Sequence, residues 1–345
     1  MIFNDAVRGS VMKAFRVEAA GVANVVEVPA IRNRHGEVLL RVRMVGMCGT
    51  DLNTYRGRNA MVTFPRILGH EIAAEVVEGD GDLPAGTAVT ISPYTSCGIC
   101  PACLRGRINA CQRNETMGVQ RDGAMTEYIS VPRDKIYPAK LSFKELCLVE
   151  PLTVGFHAAA RGRVQSNDKV AVFGCGGVGL GAIAASAFRG ADTVAIDMDD
   201  TKLAVASKAG AKHLINTTRD DLHTELQKIT GGRGPDVAIE AIGLPSTFRQ
   251  AVEEVSYTGR VVYIGYAKEP VAYETRLFVQ KELDILGSRN ALAEDFREVI
   301  RMLEAGDFPV EETVSAIVPL EDAAQILGEW SDNPARFTKI MVQLS

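Results

Sequence analysis

No stretch of the 345 residues approaches the ~18 consecutive apolar residues needed to span a bilayer. The first eleven residues, Met1 to Val11, also lack the apolar core of a secretory signal. These two absences lead to the expectation of a cytoplasmic, reducing compartment in which thiols stay free. Excess positive charge is missing as well. Against 38 Lys and Arg stand 43 Asp and Glu, a formal charge of −5 that offers no basic face to nucleic acid or an anionic membrane. Repeats and low-complexity segments are absent too. What remains is the composition of a soluble globular protein, 46% hydrophobic and 23% charged, with 32 glycines for tight turns.

A prior of one domain per ~100–200 residues suggests two or three domains. Residues 1–11 read as a loosely packed extension, because the first strand-like run, Met12-Lys-Ala-Phe-Arg-Val17, opens after them. From Met12 to about Leu152, short alternating runs such as Val38 to Val45 and Glu71 to Val77 are broken by glycine and proline, which predicts a β-rich, barrel-like domain. After Pro151 the texture changes to apolar strands separated by helical patterns: strands at Lys169–Phe173, Thr193–Asp197, Val237–Glu240, Val261–Ile264 and Asp284–Gly287. That alternation predicts a parallel sheet covered on both faces. The C-terminal region carries helical periodicity over Glu294–Ala305 and Leu320–Trp330, then a strand over Thr338–Leu344.

Four of the seven cysteines fall in the run Cys97-Gly-Ile-Cys100-Pro-Ala-Cys103-Leu-Arg-Gly-Arg-Ile-Asn-Ala-Cys111. Two gaps of two residues and one of seven point four thiolates at one tetrahedral centre, so a closed structural zinc site is expected. Two surface disulfides are the alternative, and they need a secreted chain. A closed site leaves no open coordination position and holds a lobe in shape, so the chemistry lies elsewhere.

Directly after the strand Val170–Phe173 comes Gly174-Cys-Gly176-Gly177-Val178-Gly179, followed by a helix of small residues. Glycines there allow the tight turn, the approach of backbone to a pyrophosphate and close helix packing, while the helix N-terminus binds phosphate. Asp197 ends the next strand, 18 residues beyond Gly179, where a carboxylate accepts hydrogen bonds from an adenosine ribose. It would repel a 2′-phosphate, and Met198 brings no arginine, so NAD is favoured over NADP. Lys202, one helical turn on, reaches the same ribose or is a solvated surface lysine.

Three further segments carry scarce ligand types: Gly46-Met-Cys48-Gly-Thr50-Asp51, Gly69-His70-Glu71 and Val149-Glu150-Pro151. Each also has a structural explanation, with Cys48 as a small buried hydrophobe, His70 as a loop histidine and Glu150 as a surface acid. Spacing alone leaves the choice open.

Taken together and in this order, these segments, the four-cysteine lobe and the glycine turn resemble the zinc-dependent medium-chain alcohol dehydrogenases, from about Met12 to the C-terminus. The run Glu150-Pro-Leu-Thr-Val-Gly-Phe-His157 resembles the polyol branch, with its sorbitol, threonine and sugar-acid dehydrogenases. Gly118-Val-Gln120-Arg-Asp-Gly123, Ser130-Val-Pro132 and Gly287-Ser-Arg289-Asn290 are most similar to the L-galactonate 5-dehydrogenases. The resemblance implies an α/β fold: a GroES-like β-rich catalytic domain (1–153 and 291–345, zinc lobe about 93–115) and a Rossmann doubly wound parallel-sheet domain (154–290), with an active-site cleft between them. It implies two zinc ions per chain, the catalytic one held by Cys48, His70 and a glutamate, with Glu71 and Glu150 equally eligible, one directly and the other through water. Thr50 matches the hydroxyl that begins the proton relay, and Asp51 the acid that fixes the tautomer of His70. Where many relatives continue the relay with a histidine, this chain has Asn53 and Thr54. Arg289, Asn290 and Gln120 are the implied substrate residues, and family habit suggests a homodimer or homotetramer.

The resulting expectation is a zinc-dependent oxidoreductase moving hydride between a secondary alcohol of a sugar acid or polyol and NAD. Alternatives are sorbitol, threonine or polyol-phosphate oxidation, and, from another class, a non-catalytic nucleotide-binding scaffold.

Overall fold

A computed structural model describes residues 11–31, 34–79 and 81–344. Of the extension expected at 1–11, residues 1–10 therefore lie outside the described residues, and Val11 already belongs to the first strand, Val11–Ala19. The chain divides into two compact units, Met1–Glu150 with Val314–Ser345, and Pro151–Thr313.

The first unit is β-rich, with its architecture centred on one long strand, Glu37–Met47. This strand pairs antiparallel with Glu71–Val76, Tyr128–Pro132 and Ile340–Gln343. Its side chains alternate only partly because it is packed on both faces: Val38, Leu39, Leu40, Val42, Val45 and Met47 are all buried. Register then places the chemistry. Gly46 lies opposite Glu71 on one neighbour and Met47 opposite Ile340 on the other, so Cys48, Glu71 and Lys339 arrive at the same end of the sheet from three strands. A core of Phe15, Leu40, Leu68, Ile72, Ile91 and Met125 is closed by Ile326, Leu327 and Trp330 of the C-terminal helix Ala323–Asp332. That helix starts three residues later than the periodicity predicts, since Leu320–Asp322 forms a separate 3-10 turn.

In the second unit six parallel strands lie in the order His213–Asn216, Asp192–Asp197, Lys169–Phe173, Val237–Glu240, Arg260–Tyr263, Asp284–Gly287. His213–Asn216 is absent from the predicted strands. Lys169–Phe173 is central, so the strand order reverses beside it, and in such sheets ligands bind at the carboxyl ends of the strands at that switch point. Helix Gly177–Phe188 packs tightly against helix Phe143–Arg161 because both contribute glycine: a Cβ on Gly155 would fall 2.1 Å from the Ala182 nitrogen, and one on Gly181 would fall 2.8 Å from the Leu152 oxygen.

The division differs from the expected boundaries, 153/154 and 290/291. It falls at Glu150/Pro151, inside helix Phe143–Arg161, and at Thr313/Val314. Residues 291–313 group with the second unit because helix Ala293–Glu304 docks there. Its Phe296, Val299, Met302 and Leu303 are buried, Asp295 meets His157 at 2.9 Å, and Glu298 meets Arg189 at 2.5 Å. Among the described residues no helix is long and apolar enough to cross a membrane.

Candidate metal centres and nucleotide turn

Cys97, Cys100, Cys103 and Cys111 form one group, with one sulfur from each lying within 4.8 Å of the others. All four are free thiols. Cys100 Sγ and Cys111 Sγ are 3.9 Å apart, close to the roughly 3.8 Å edge of a tetrahedron with zinc–sulfur bonds of about 2.3 Å and far from a disulfide's length of about 2.05 Å. Backbone N–H groups point at the sulfurs: those of Cys97 and Arg113 each reach Cys111 Sγ at 3.3 Å. Such donors favour thiolate, and the backbone groups of Cys103 and Gln112 are the first causes that bring Cys100 down to about 6. Desolvation leads in pushing Cys103 up to about 11. A soft cation among four thiolates fits this donor set.

The second group comprises Cys48, His70 and Glu71, whose ligand atoms also lie within 4.8 Å of one another. Cys48 follows the long strand and caps helix Gly49–Tyr55, where Asp51 Oδ2 accepts from the Cys48 N–H at 2.8 Å. Thr50 Oγ1 lies 3.7 Å from Cys48 Sγ. His70 and Asp51 are both buried, yet their facing atoms, Nδ1 and Oδ1, are 3.9 Å apart, and among the described residues neither has a hydrogen-bond partner. Ion-pair geometry is present there without the hydrogen bond that the resemblance implies. Burial works against charge on His70, but Asp51, Cys48 and Glu150 outweigh it and hold the imidazole well above its usual range. So much acidic side chain buried around one histidine suits a cation, and the sulfur, nitrogen and oxygen donors are those that zinc takes.

The structure separates the two acids that the sequence leaves open. Glu71 belongs to the donor group; Glu150 does not. Glu71 is also half of a buried ion pair, since Lys339 Nζ donates to both of its carboxylate oxygens, at 2.6 and 2.7 Å. Gly46 makes room for it: a Cβ there would sit 2.1 Å from Glu71 Oε2. Glu150 is held elsewhere, its Oε1 accepting from the hydroxyl of the buried Tyr94, and burial raises its carboxyl above the usual range. Sequence reasoning missed Lys339 and Tyr94. Lys339 is 268 residues from its partner and carries no local signal. Tyr94 stands three residues before Cys97, a position at which any side chain is compatible with the cysteine motif.

Downstream of Thr50, Thr54 Oγ1 donates to the Thr50 carbonyl at 2.9 Å and accepts from Asn59 Nδ2 at 3.1 Å, while Asn53 is exposed. Gln120 lies in a loop pressed onto the chain leading to His70. Cβ atoms on Gly118 and Gly123 would meet the Gly69 nitrogen at 2.7 Å and the Leu68 oxygen at 2.2 Å. The Gln120 amide itself is engaged, accepting from the Thr116 N–H at 2.9 Å and donating to Met61 Sδ at 3.5 Å. Arg289 and Asn290 belong to the other unit, just beyond the edge strand Asp284–Gly287, and Asn290 has a φ of 52°.

In the glycine turn the four glycines divide by function. Gly174 has φ +96° and Gly179 would place a Cβ 1.8 Å from the Gly174 oxygen, so both are demanded by the fold. Cβ atoms on Gly176 and Gly177 would meet nothing within 4 Å, which leaves a bare backbone and the first turn of helix Gly177–Phe188, including Val178, open to a phosphate. Asp197 ties the turn to its neighbour: Oδ2 accepts from the Cys175 N–H at 2.8 Å, Oδ1 from those of Met198 and Asp199 at 2.8 and 3.1 Å. Lys202 faces the same turn, its charge opposing the rise that burial and Asp197 give the Cys175 thiol.

Comparison with known proteins covers both units. A model described as an alcohol dehydrogenase GroES-like domain matches residues 34–141, and one described as a zinc-binding dehydrogenase matches 177–305. An uncharacterized zinc-type alcohol dehydrogenase-like protein of Haemophilus influenzae is 33% identical over 95% of this chain and 98% of its own. The L-galactonate-5-dehydrogenase of Escherichia coli K12 is 32% identical, covering 84% and 86%, and the sorbitol dehydrogenase of Bacillus subtilis 36%, covering 80% and 81%. Among solved structures, an E. coli CFT073 alcohol dehydrogenase complexed with NADH superposes with a TM-score of 0.89, at 27% identity over 97% of this chain and all of the other. A Sinorhizobium meliloti zinc-binding dehydrogenase bound to NADP does so at 0.88, with 28% identity and the same coverage.

Metal analysis of the purified protein is expected to find two zinc ions per chain, and one in either Cys48→Ser or Cys103→Ser. Cys103→Ser should lower Tm by several degrees (roughly 2–4 °C per kcal/mol lost at this size), whereas Cys48→Ser should abolish turnover with Tm near that of wild type. A wild-type protein holding a single zinc, removed by Cys103→Ser alone, overturns the second centre. At the glycine turn, Gly176→Ala should leave Tm within about 1 °C yet weaken dinucleotide binding roughly tenfold by calorimetry, while Gly179→Ala should destabilise the fold. Unchanged dinucleotide affinity in Gly176→Ala rules out the open backbone as the phosphate seat.

Proposed function

Because the chain belongs to the zinc-type medium-chain alcohol dehydrogenases, a family of oxidoreductases, we propose that it oxidises a secondary alcohol of a sugar acid or polyol with NAD. The observation that carries this reading is the buried donor set of Cys48, His70 and Glu71 with the Thr50 hydroxyl beside it. Bound there, zinc would lower the pKa of a substrate hydroxyl, and NAD would supply the hydride acceptor. The chain's own residues do the rest. Cys48, His70 and Glu71 fix the geometry of the centre, and Lys339 holds the Glu71 carboxylate in one orientation. Thr50 takes the proton of the substrate hydroxyl. Asp51 faces His70 at 3.9 Å, and its negative charge there favours a proton on the ring nitrogen turned toward it. Glu150 stands beside the set as an acceptor for a substrate hydroxyl or a water. With Asn53 exposed, the proton leaves Thr50 through water or the cofactor ribose.

For the substrate, similarity to both an L-galactonate and a sorbitol dehydrogenase supports a polyhydroxylated chain, with or without a carboxylate. Arg289 is the residue that would decide between them, since a guanidinium forms two parallel hydrogen bonds with a carboxylate that lysine does not reproduce. Asn290 and Gln120 complete the set of proposed substrate residues. For the nucleotide, the three N–H donors on Asp197 support NAD, because they hold its charge where a 2′-phosphate would have to lie. The reading includes two zinc ions per chain and a cytoplasmic homo-oligomer, dimer or tetramer.

A screen of sugar acids, polyols and amino-alcohols by NADH absorbance tests the substrate class. Steady-state efficiency should be higher with NAD than with NADP, and Asp197→Ser should erode the preference; equal or better efficiency of wild type with NADP refutes the role of Asp197. Arg289→Ala should cost roughly ten- to a hundred-fold in kcat/KM on L-galactonate, the worth of a charge-assisted pair at ~1.5–3 kcal/mol, and far less on a matched neutral polyol. Equal losses on the two substrates reject the carboxylate clamp.

A further inference from the structure

Helix Phe143–Arg161 presents His157 and Arg161 on one face, since residues four apart lie one above the other. Both reach the chain that leaves the edge strand Asp284–Gly287 and enters helix Ala293–Glu304, all within the second unit. Arg161 Nε donates to the Gly287 carbonyl at 3.2 Å, and the Ser288 N–H donates to the Tyr263 carbonyl at 2.9 Å. At the far end, Asp295 Oδ2 accepts from the Leu292 N–H at 2.7 Å and lies 2.9 Å from His157 Nδ1. A carboxylate only accepts, so that ring nitrogen carries the proton. His157 and Asp295 are each 4% exposed, and a hydrogen bond to a carboxylate so far from water is among the stronger ones. Between the two anchors the chain turns back on itself. Ser288 and Ala291 are buried, Asn290 takes the left-handed conformation at φ 52°, and Arg289 is left exposed between them.

We infer that His157 and Arg161 are positioning residues that brace the turn 288–292 from both ends, so that Arg289 and Asn290 meet the substrate in one geometry. The inference rests on the reading of those two side chains as substrate residues and adds what holds them. The His157 ring does not need to touch substrate. It fixes the Asp295 carboxylate, the carboxylate fixes the Leu292 N–H, and Arg161 fixes the opposite end from the next turn of the same helix. A turn clamped at both ends carries its guanidinium in a set direction, and the ordering that binding would otherwise require is met in advance. Pairing with a carboxylate is the interaction most sensitive to this, because two parallel hydrogen bonds demand an alignment that a single hydroxyl contact does not.

The test uses the full-length holoenzyme with His157→Leu, His157→Asn, Arg161→Ala, Arg289→Ala and the His157→Leu/Arg289→Ala pair. Hydrogen exchange followed by mass spectrometry reads the brace directly. Peptides covering 288–292 should exchange about tenfold faster in His157→Leu and in Arg161→Ala, with those of the central strand Lys169–Phe173 unchanged. His157→Asn, whose amide nitrogen takes the place of Nδ1, should restore protection. In steady state, His157→Leu should raise KM for L-galactonate roughly tenfold with kcat within about threefold, and change KM for the matched neutral polyol far less. Added to Arg289→Ala it should cost little more, since both act through one side chain. Wild-type exchange at 288–292 in both His157→Leu and Arg161→Ala overturns the inference, and so does strict additivity of the two losses on the acid. Faster exchange throughout the second unit with a lower Tm, not rescued by His157→Asn, is the mark of a merely structural pair and overturns it as well. Equal losses on the two substrates in Arg289→Ala alone, with the exchange result intact, are a different failure, that of the carboxylate reading.

Discussion

The buried pair between Glu71 and Lys339 is the constraint on which the first unit's chemistry depends. A carboxylate that is fully desolvated beside a cysteine and a buried histidine is costly, and the Lys339 ammonium that donates to both of its oxygens offsets that cost. Removing one member of such a pair costs about 3–5 kcal/mol, because the other is left buried and uncompensated. The pair also fixes geometry. It joins the two strands that flank Glu37–Met47, from opposite sides, at the point where that strand delivers Cys48, so a slip in either register would separate the ligand set. Gly46 belongs to the same constraint, since any larger residue opposite Glu71 would occupy its carboxylate.

The two thiol-bearing centres differ in how they are built. The four-cysteine loop is local: fifteen residues supply all ligands, and backbone N–H groups stabilise the sulfurs. Its geometry needs little from the rest of the chain. Cys48 comes instead from just past the end of one strand and His70 and Glu71 from the start of its neighbour, each held by other partners: Asp51 caps the turn at Cys48, the glycines at 118 and 123 admit a loop against Leu68 and Gly69, and Lys339 holds Glu71. That dispersal matches a centre that must keep one position open, because a catalytic site has to be supported from behind, not enclosed.

In the second unit a comparable division runs through the glycine turn. Gly174 and Gly179 are consumed by the fold, whereas Gly176 and Gly177 serve the ligand by presenting bare backbone. Asp197 connects both functions, receiving N–H donors from the turn and from its own loop while keeping its charge at the end of the strand beside the switch point. Rigidity in the protein is thus arranged so that recognition needs little reordering.

Sequence by itself determined the motifs whose residues are neighbours in the chain. The cysteine spacing, the strand–glycine–helix signature with Asp197, the β-rich first half and the parallel sheet after Pro151 are all local patterns, set by backbone reach and hydrophobic period. Tertiary structure alone decided what depended on distant residues meeting. It placed Glu71 in the donor group and Glu150 outside it, and it brought Lys339 across 268 positions to Glu71. It also turned Tyr94 from the base of the cysteine loop onto Glu150, and moved residues 291–313 to the second unit through the docking of helix Ala293–Glu304. The reason is physical: periodicity and spacing encode which face of an element is buried, whereas the partner a buried charge finds depends on strand register and packing between elements far apart in the chain.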